Sequence, residues 1–188
     1  MNIPWFTLND DPQDAGCVYP PHQMMRVGYN YQADCSVHRI PCDRLANFDP
    51  DFDTVTFEPT AKLHDLMASA PIPNYGWLIS HRFMALLSSH GLPTHRIYRL
   101  PVVQCGRRID GYVWLHLPQS MNNISETMSI AEAEHTIRSN SAIAELDVLP
   151  IYWPIRFSYF FISQRLRSAI EHAGLTGIRF GASKLFRV

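Results

Sequence analysis

Cys35, His38 and Cys42 stand close together in the chain, and Cys17 or His22 lies near enough to complete a set of four ligands. Thiolates and imidazoles at short spacings are what tetrahedral zinc takes, yet C-x2-H-x3-C departs from the paired-cysteine signatures of structural zinc sites. Buried or loop thiols are therefore the expected state, and metal-dependent chemistry is the rival. Nine histidines offer acid–base groups, but they fall in unrelated segments. His64, His81, His90 and His172 lie on predicted helices and His116 on a predicted strand, with no nucleophile in a recognisable elbow beside them. Helix C-terminal electrostatics account for His90 and His172.

A different pattern lies in "NFDPDFDTVTFEP", where Asp49, Asp51, Asp53 and Glu58 are interleaved with Phe48, Phe52 and Phe57. Alternating carboxylates and aromatic rings give a cationic protein partner both steering charge and buried anchors. Phe48, Asp49, Asp51, Phe52, Asp53 and Glu58 are thus the candidate partner-binding residues. The competing expectation is a solvated loop with its phenylalanines turned inward. Glycines form neither G-x-G-x-x-G nor G-x4-G-K-[ST], so no nucleotide cofactor is expected, and no other cofactor is assigned.

The elements that would carry these residues are announced by a repetition. "WLISHRFMALLSSHGLPTHRIYRLPV" at 77–102 shares its skeleton with "FFISQRLRSAIEHAGLTGIRF" at 160–180. At a fixed offset of 83, Ile79, Ser80, Arg82, Gly91, Leu92 and Arg96 fall on Ile162, Ser163, Arg165, Gly174, Leu175 and Arg179. Unrelated segments would give roughly one identity in such a stretch. Each phrase reads as a strand, a serine cap, a helix, a glycine exit and a second strand. In the first helix Phe83, Leu86 and Leu87 share a face, with His90 in the last turn and Gly91 as the left-handed exit. In the second, Leu166, Ala169, Ile170 and Ala173 form the stripe and Gly174 the exit. Arg82 and Arg165, each two residues past the capping serine, are placed for structural ion pairs rather than for binding a substrate anion.

Between and around the phrases, "HRIYRLPVVQ" and "YVWLHL" read as strands joined by a turn at "CGRRIDG". "AIAELDVLP" and "PIRFSYFFI" also read as strands, and "SIAEAEHTIRS" as a helix. "AKLHDLMAS" at 61–69 spaces Leu63, Leu66 and Met67 as one helical face stopped by Pro71 and Pro73. Residues 1–60, dense in Pro, Asp, Asn and Tyr, predict irregular chain with a few edge strands such as "VHRIPC" and "DTVTFEP". The expected fold class is α+β. It is a single domain over 1–188, with mixed or antiparallel sheet, two related helix-plus-strand units in 61–188, and an acidic N-terminal segment laid over them.

Whole-chain properties narrow the partners. The 188 residues, 46% of them apolar, suffice for one sizeable core. A net charge of −1 conceals a split: residues 1–75 carry ten acids against four bases, and 76–188 carry seven acids against twelve bases. Fourteen of the sixteen cations are arginines, never more than two of them adjacent, so a nucleic-acid grip is not expected. "MNIPWFTLNDD" has no secretory pattern, and the most apolar run, "VLPIYWPIRFSYFFI", is broken by two prolines and Arg156. The expectation is a soluble protein that stays where it is made, off the membrane, with its four cysteines reduced.

The pattern "I-S-x-R-[FL]-x2-[LA]-[LI]-x3-G-L", the strand "RIYRLPV", the segment "GYVWLHLPQSMNN" and the ending "FISQRLRSAIEHAGLTGIRF" together resemble polymorphic-toxin immunity protein family 11. The likeness covers roughly 70–120 and 140–180, and "SMNNIS" stands where that family usually carries aspartates. The resemblance implies a cytoplasmic, non-enzymatic bacterial protein that neutralises a cognate toxin by binding it. Such toxins act in interbacterial competition, delivered by secretion or contact, as through type VI secretion. An enzyme using metal or histidine, and an adaptor that loads an effector, are the alternatives.

Overall fold

The structure is a computed structural model, and it describes residues 5–10, 18–19, 55–67, 76–99, 101–117, 132, 135–136, 145–153 and 157–182. Among the described residues the strands and the longer helices follow in chain order: β1 Trp5–Asp10, β2 Val18–Tyr19, β3 Val55–Phe57, β4 Leu66–Met67, β5 Gly76–Ser80, α1 His81–Leu87 and β6 Arg96–Arg99. The second part of the chain gives β7 Val102–Gln104, β8 Arg107–Ile109, β9 Tyr112–His116, β10 Val148–Trp153, β11 Phe157–Ser163, α2 Gln164–Ala173 and β12 Ile178–Ala182. The class is α+β. Glu132, His135 and Thr136, the residues described within 129–139, are helical as the periodicity predicts.

Among the described residues three four-stranded sheets are formed, in the orders β4-β5-β9-β6, β10-β11-β1-β12 and β2-β3-β7-β8. The first two are antiparallel throughout. The third is mixed, because β3 runs parallel to β7. One apolar core joins the first two sheets and both helices. Leu66, Ile79 and Leu115 come from one sheet, Leu8, Val148 and Ile162 from the other, and Phe83, Leu87, Leu166 and Ile170 from the helices. Each such side chain removed from water contributes about 1.5–3 kcal/mol, so the core outweighs any polar contact described below.

The helix starts follow from the capping serines. Ser80 Oγ accepts from the Phe83 amide at 3.1 Å, and Ser163 Oγ from the Leu166 amide at 3.1 Å. These bonds satisfy donors that the first turn leaves unpaired. α2 ends as expected, with Gly174 in the left-handed region at φ 60° and His172 in the last turn.

α1 ends differently. It stops at Leu87, Ser88 is its right-handed C-cap, and Gly91 does not serve as the exit residue. Glycine is required at 91 by close approach instead: a Cβ there would overlap the carbonyl oxygen of Glu145. His90 consequently lies beyond the helix rather than in its last turn.

Three further expectations are corrected. Residues 61–67 are not helical: Leu66 and Met67 form β4, paired antiparallel with Ile79 and Leu78. Leu66 and Met67 are buried while Leu63 is 44% exposed, so the apolar spacing served two separate environments. The N-terminal segment supplies more than edge strands, because β1 lies between β11 and β12, bonded on both sides. The stretch "HRIYRLPVVQ" is not one strand either: β6 pairs with β9, whereas β7, beyond Pro101, joins β3 and β8 in the mixed sheet. Proline cannot donate to a ladder, which suits it to the crossing between sheets. "CGRRIDG" is a tight turn at Cys105 and Gly106 (φ 51° and 73°) followed by β8.

Candidate functional site

Two buried carboxylates organise the chemistry-bearing residues of the repeated phrases. Asp147, just ahead of β10, has a side chain only 2% exposed. Its Oδ1 accepts from the Ser163 hydroxyl and from Arg165 Nε at 3.1 Å. Its Oδ2 accepts from Arg165 Nη2 at 2.5 Å, from the Gly91 amide at 3.1 Å and from His90, whose Nδ1 is 2.9 Å away. Burial alone would push this carboxyl up. The hydrogen bonds from Arg165, Ser163, His90 and Gly91 outweigh it and hold the pKa down at about 2.

Asp65, just ahead of β4, does the same work on the other phrase. Its Oδ1 accepts from Ser80 Oγ at 2.6 Å, and its Oδ2 accepts from the Thr176 amide at 2.9 Å and the Thr176 hydroxyl at 3.2 Å. Arg82 Nη1 stands 3.6 Å from Oδ2, and Arg82 also donates to the carbonyl of Ala173 at the end of α2. The pairing expected of the two arginines is thus present at both. Beside Asp65, the Tyr112 hydroxyl donates to the His64 carbonyl at 2.7 Å. Burial first, and the Asp65 charge second, push the Tyr112 pKa up to about 12.

These clusters bring a carboxylate, a histidine and a serine together, but in an order that builds structure. Ser163 bonds to the carboxylate and to a helix amide rather than to His90. A nucleophilic relay instead needs the histidine between serine and acid. His90, read from sequence as a helix-end cation, is a side chain 11% exposed that ties the loop after α1 to Asp147.

A second polar and aromatic group lies on the opposite face of the first sheet. Trp114 and His116 are fully buried on β9, with ring centroids 4.4 Å apart, and Tyr98 on β6 stacks on Trp114 at 5.0 Å. On the second sheet, the positions paired in the same way carry Thr7, Asn9 and Gly181. The aromatic stack therefore belongs to one sheet alone.

Of the candidate partner-binding residues, Phe48, Asp49, Asp51, Phe52 and Asp53 lie outside the described residues. Glu58 is half-buried at the end of β3, and its carbonyl accepts from the Ala61 amide at 3.0 Å and from Gln104 Nε2 at 3.0 Å. Phe57 is buried at 1% exposure, edge-on to Tyr112 at 5.5 Å, so this ring of the pattern is core. Cys35, His38 and Cys42, with Cys17 and His22, also lie outside the described residues. Among the described residues no group of three or more His, Cys, Asp or Glu could hold a metal. Cys105 is a free, exposed thiol. No described helix is long and apolar enough to cross a membrane.

Sequence reasoning located the serines and arginines but missed both aspartates. Asp65 stands 15 residues before its serine and Asp147 stands 16 before. That slip of one residue takes them out of the 83-residue alignment. No family model matches the chain, and no curated protein matches it. The likeness to immunity protein family 11 rests on the quoted motif residues.

Proposed function

We propose that this protein neutralises a bacterial toxin by binding it, acting in the cytoplasm of the cell that makes the toxin. The observation that carries the reading is the charge split, ten acids against four bases over 1–75 and seven against twelve beyond, taken with the family resemblance. An acidic, aromatic-bearing segment steers a cationic partner and gives it apolar anchors. Supporting this, the repeated arginines and serines are engaged with Asp65 and Asp147 in holding the scaffold. Partner choice then falls to segments that occur once, Phe48–Asp53 and Glu58 foremost. Seating that surface over a toxin's catalytic groove excludes its substrate without any chemistry by the inhibitor.

Co-expression with the toxin gene next to its own tests the reading: growth is restored by this chain and lost again without it. An adaptor would bind the toxin and leave it lethal, and an enzyme of the metal class would hold stoichiometric zinc that disappears on replacing Cys35 or Cys42. For the surface, charge reversal at Asp49, Asp51 and Asp53 together is expected to weaken binding about tenfold or more. Most of that loss should lie in the association rate, and it should grow at low salt. Unchanged affinity and salt dependence, measured by surface plasmon resonance, would move the interface elsewhere.

A further inference from the structure

We infer that the chain is an internally fused dimer of one five-element unit, and that β1 is the final strand of the second copy. In the first copy the order is β4, β5, α1, β6, β9, and in the second it is β10, β11, α2, β12, β1. The registers agree residue by residue. Ile97 pairs with Leu115 and Arg96 with His116, while Phe180 pairs with Leu8 and Arg179 with Asn9. On the other side of the same strands, Ser80 pairs with Tyr112 and Ser163 with Trp5. Leu66 on Ile79 matches Val148 on Ile162. One fixed displacement takes β6 to β12 and another takes β9 to β1, and both sets of pairs obey them.

The contact between the copies is reciprocal at the level of elements, as across a two-fold axis: the turn ahead of each copy's first strand meets the loop after the other copy's helix. Asp65 of the first copy accepts from the Thr176 amide in the loop after α2. Asp147 of the second accepts from the Gly91 amide in the loop after α1. The backbone repeats the exchange: the Leu66 amide donates to the Thr176 carbonyl, and the Asp147 amide to the Gly91 carbonyl. On a two-fold axis a residue meets its own counterpart. Trp77 and Phe160 are such counterparts under the 83-residue offset, and their ring centroids are 4.7 Å apart. The mixed sheet has no second copy among the described residues, and its β7 and β8 are inserted between β6 and β9.

A circular permutant tests this. Residue 188 is joined to residue 1 by a short Gly/Ser linker and the chain is opened between Ser125 and Glu126. Each copy then becomes contiguous, with β12 running into β1 as β6 runs toward β9. A permutant that folds with a thermal midpoint within about 10 °C of the parent supports the inference. If it does not fold, native-state hydrogen exchange on the unaltered chain decides. Amides of Phe6, Thr7 and Leu8 exchanging within about tenfold of Val113, Trp114 and Leu115 uphold β1 as the equivalent of β9. Exchange of β1 faster than that overturns it.

Discussion

Asp147 shows how one carboxylate sets the position of four other groups. Its oxygens hold a helix-capping serine, an arginine, a histidine and a loop amide, so its ionised form is favoured by the folded state. The folded pKa of about 2 lies below the ordinary 3.8. A carboxyl depressed on folding contributes stability above its unfolded pKa and loses it as pH falls through the folded value. The contribution is about 2 kcal/mol, present above pH ~4 and gone below pH ~2. Asp147→Asn is expected to cost about 2 kcal/mol at neutral pH, because one buried oxygen becomes an NH2 group that can no longer accept from the donors facing it. Urea denaturation from pH 2 to 6 checks both statements: the variant starts lower and shows a shallower acid limb than the parent. An equal acid slope in the two proteins would assign the pH dependence to other carboxylates.

At the scale of elements, the two glycines aligned by the repeat separate a local rule from a tertiary one. Gly174 sits at φ 60°, so Gly174→Ala pays only for a left-handed residue, about 1 kcal/mol. Gly91→Ala forces a methyl against the Glu145 carbonyl, and a backbone neighbour cannot rotate away; a loss of about 3 kcal/mol or more is expected. Chemical denaturation of the two single variants measures the difference, and equal losses would contradict the close-packed account of position 91. The same contrast explains what was legible in the sequence. Both caps, both helix faces and β5, β11 and β12 were readable because serine, glycine and apolar spacing act within a few residues. The short β4 was read as helix, since Leu63, Leu66 and Met67 satisfy a helical period while β5 decides their true conformation. β1 was invisible as a central strand because its partners lie more than 150 residues away. Of the candidate site, the arginine pairing was legible and the aspartates were not, since nothing local marks an acid that bonds a loop from the other half of the chain. The acidic segment is legible only as composition, through Asp49, Asp51 and Asp53.

For the whole molecule, the crossed bonds decide how it comes apart. If the two sheet-and-helix units were neighbours with a polar seam, each would melt at its own midpoint. Here Leu8, Leu66, Ile79, Val148, Ile162 and both helices share one apolar cluster, and each unit's buried aspartate is satisfied by the other's loop. Opening one unit strands a carboxylate in its partner, at about 1–3 kcal/mol for each unmet group, before any apolar surface is counted. Partial unfolding is thereby made costlier than complete unfolding. A single cooperative transition is expected, with calorimetric and van't Hoff enthalpies in agreement and tryptophan fluorescence coincident with far-UV circular dichroism. Ser80→Ala and Ser163→Ala provide the sharper version. Each removes a cap and a hydrogen bond to a buried aspartate from a different unit, about 2 kcal/mol together, yet each should lower the one common midpoint by several degrees without splitting it. Two resolved transitions, with only one of them moved by each serine change, would mean that the units are stable apart and that the crossed aspartate bonds contribute little.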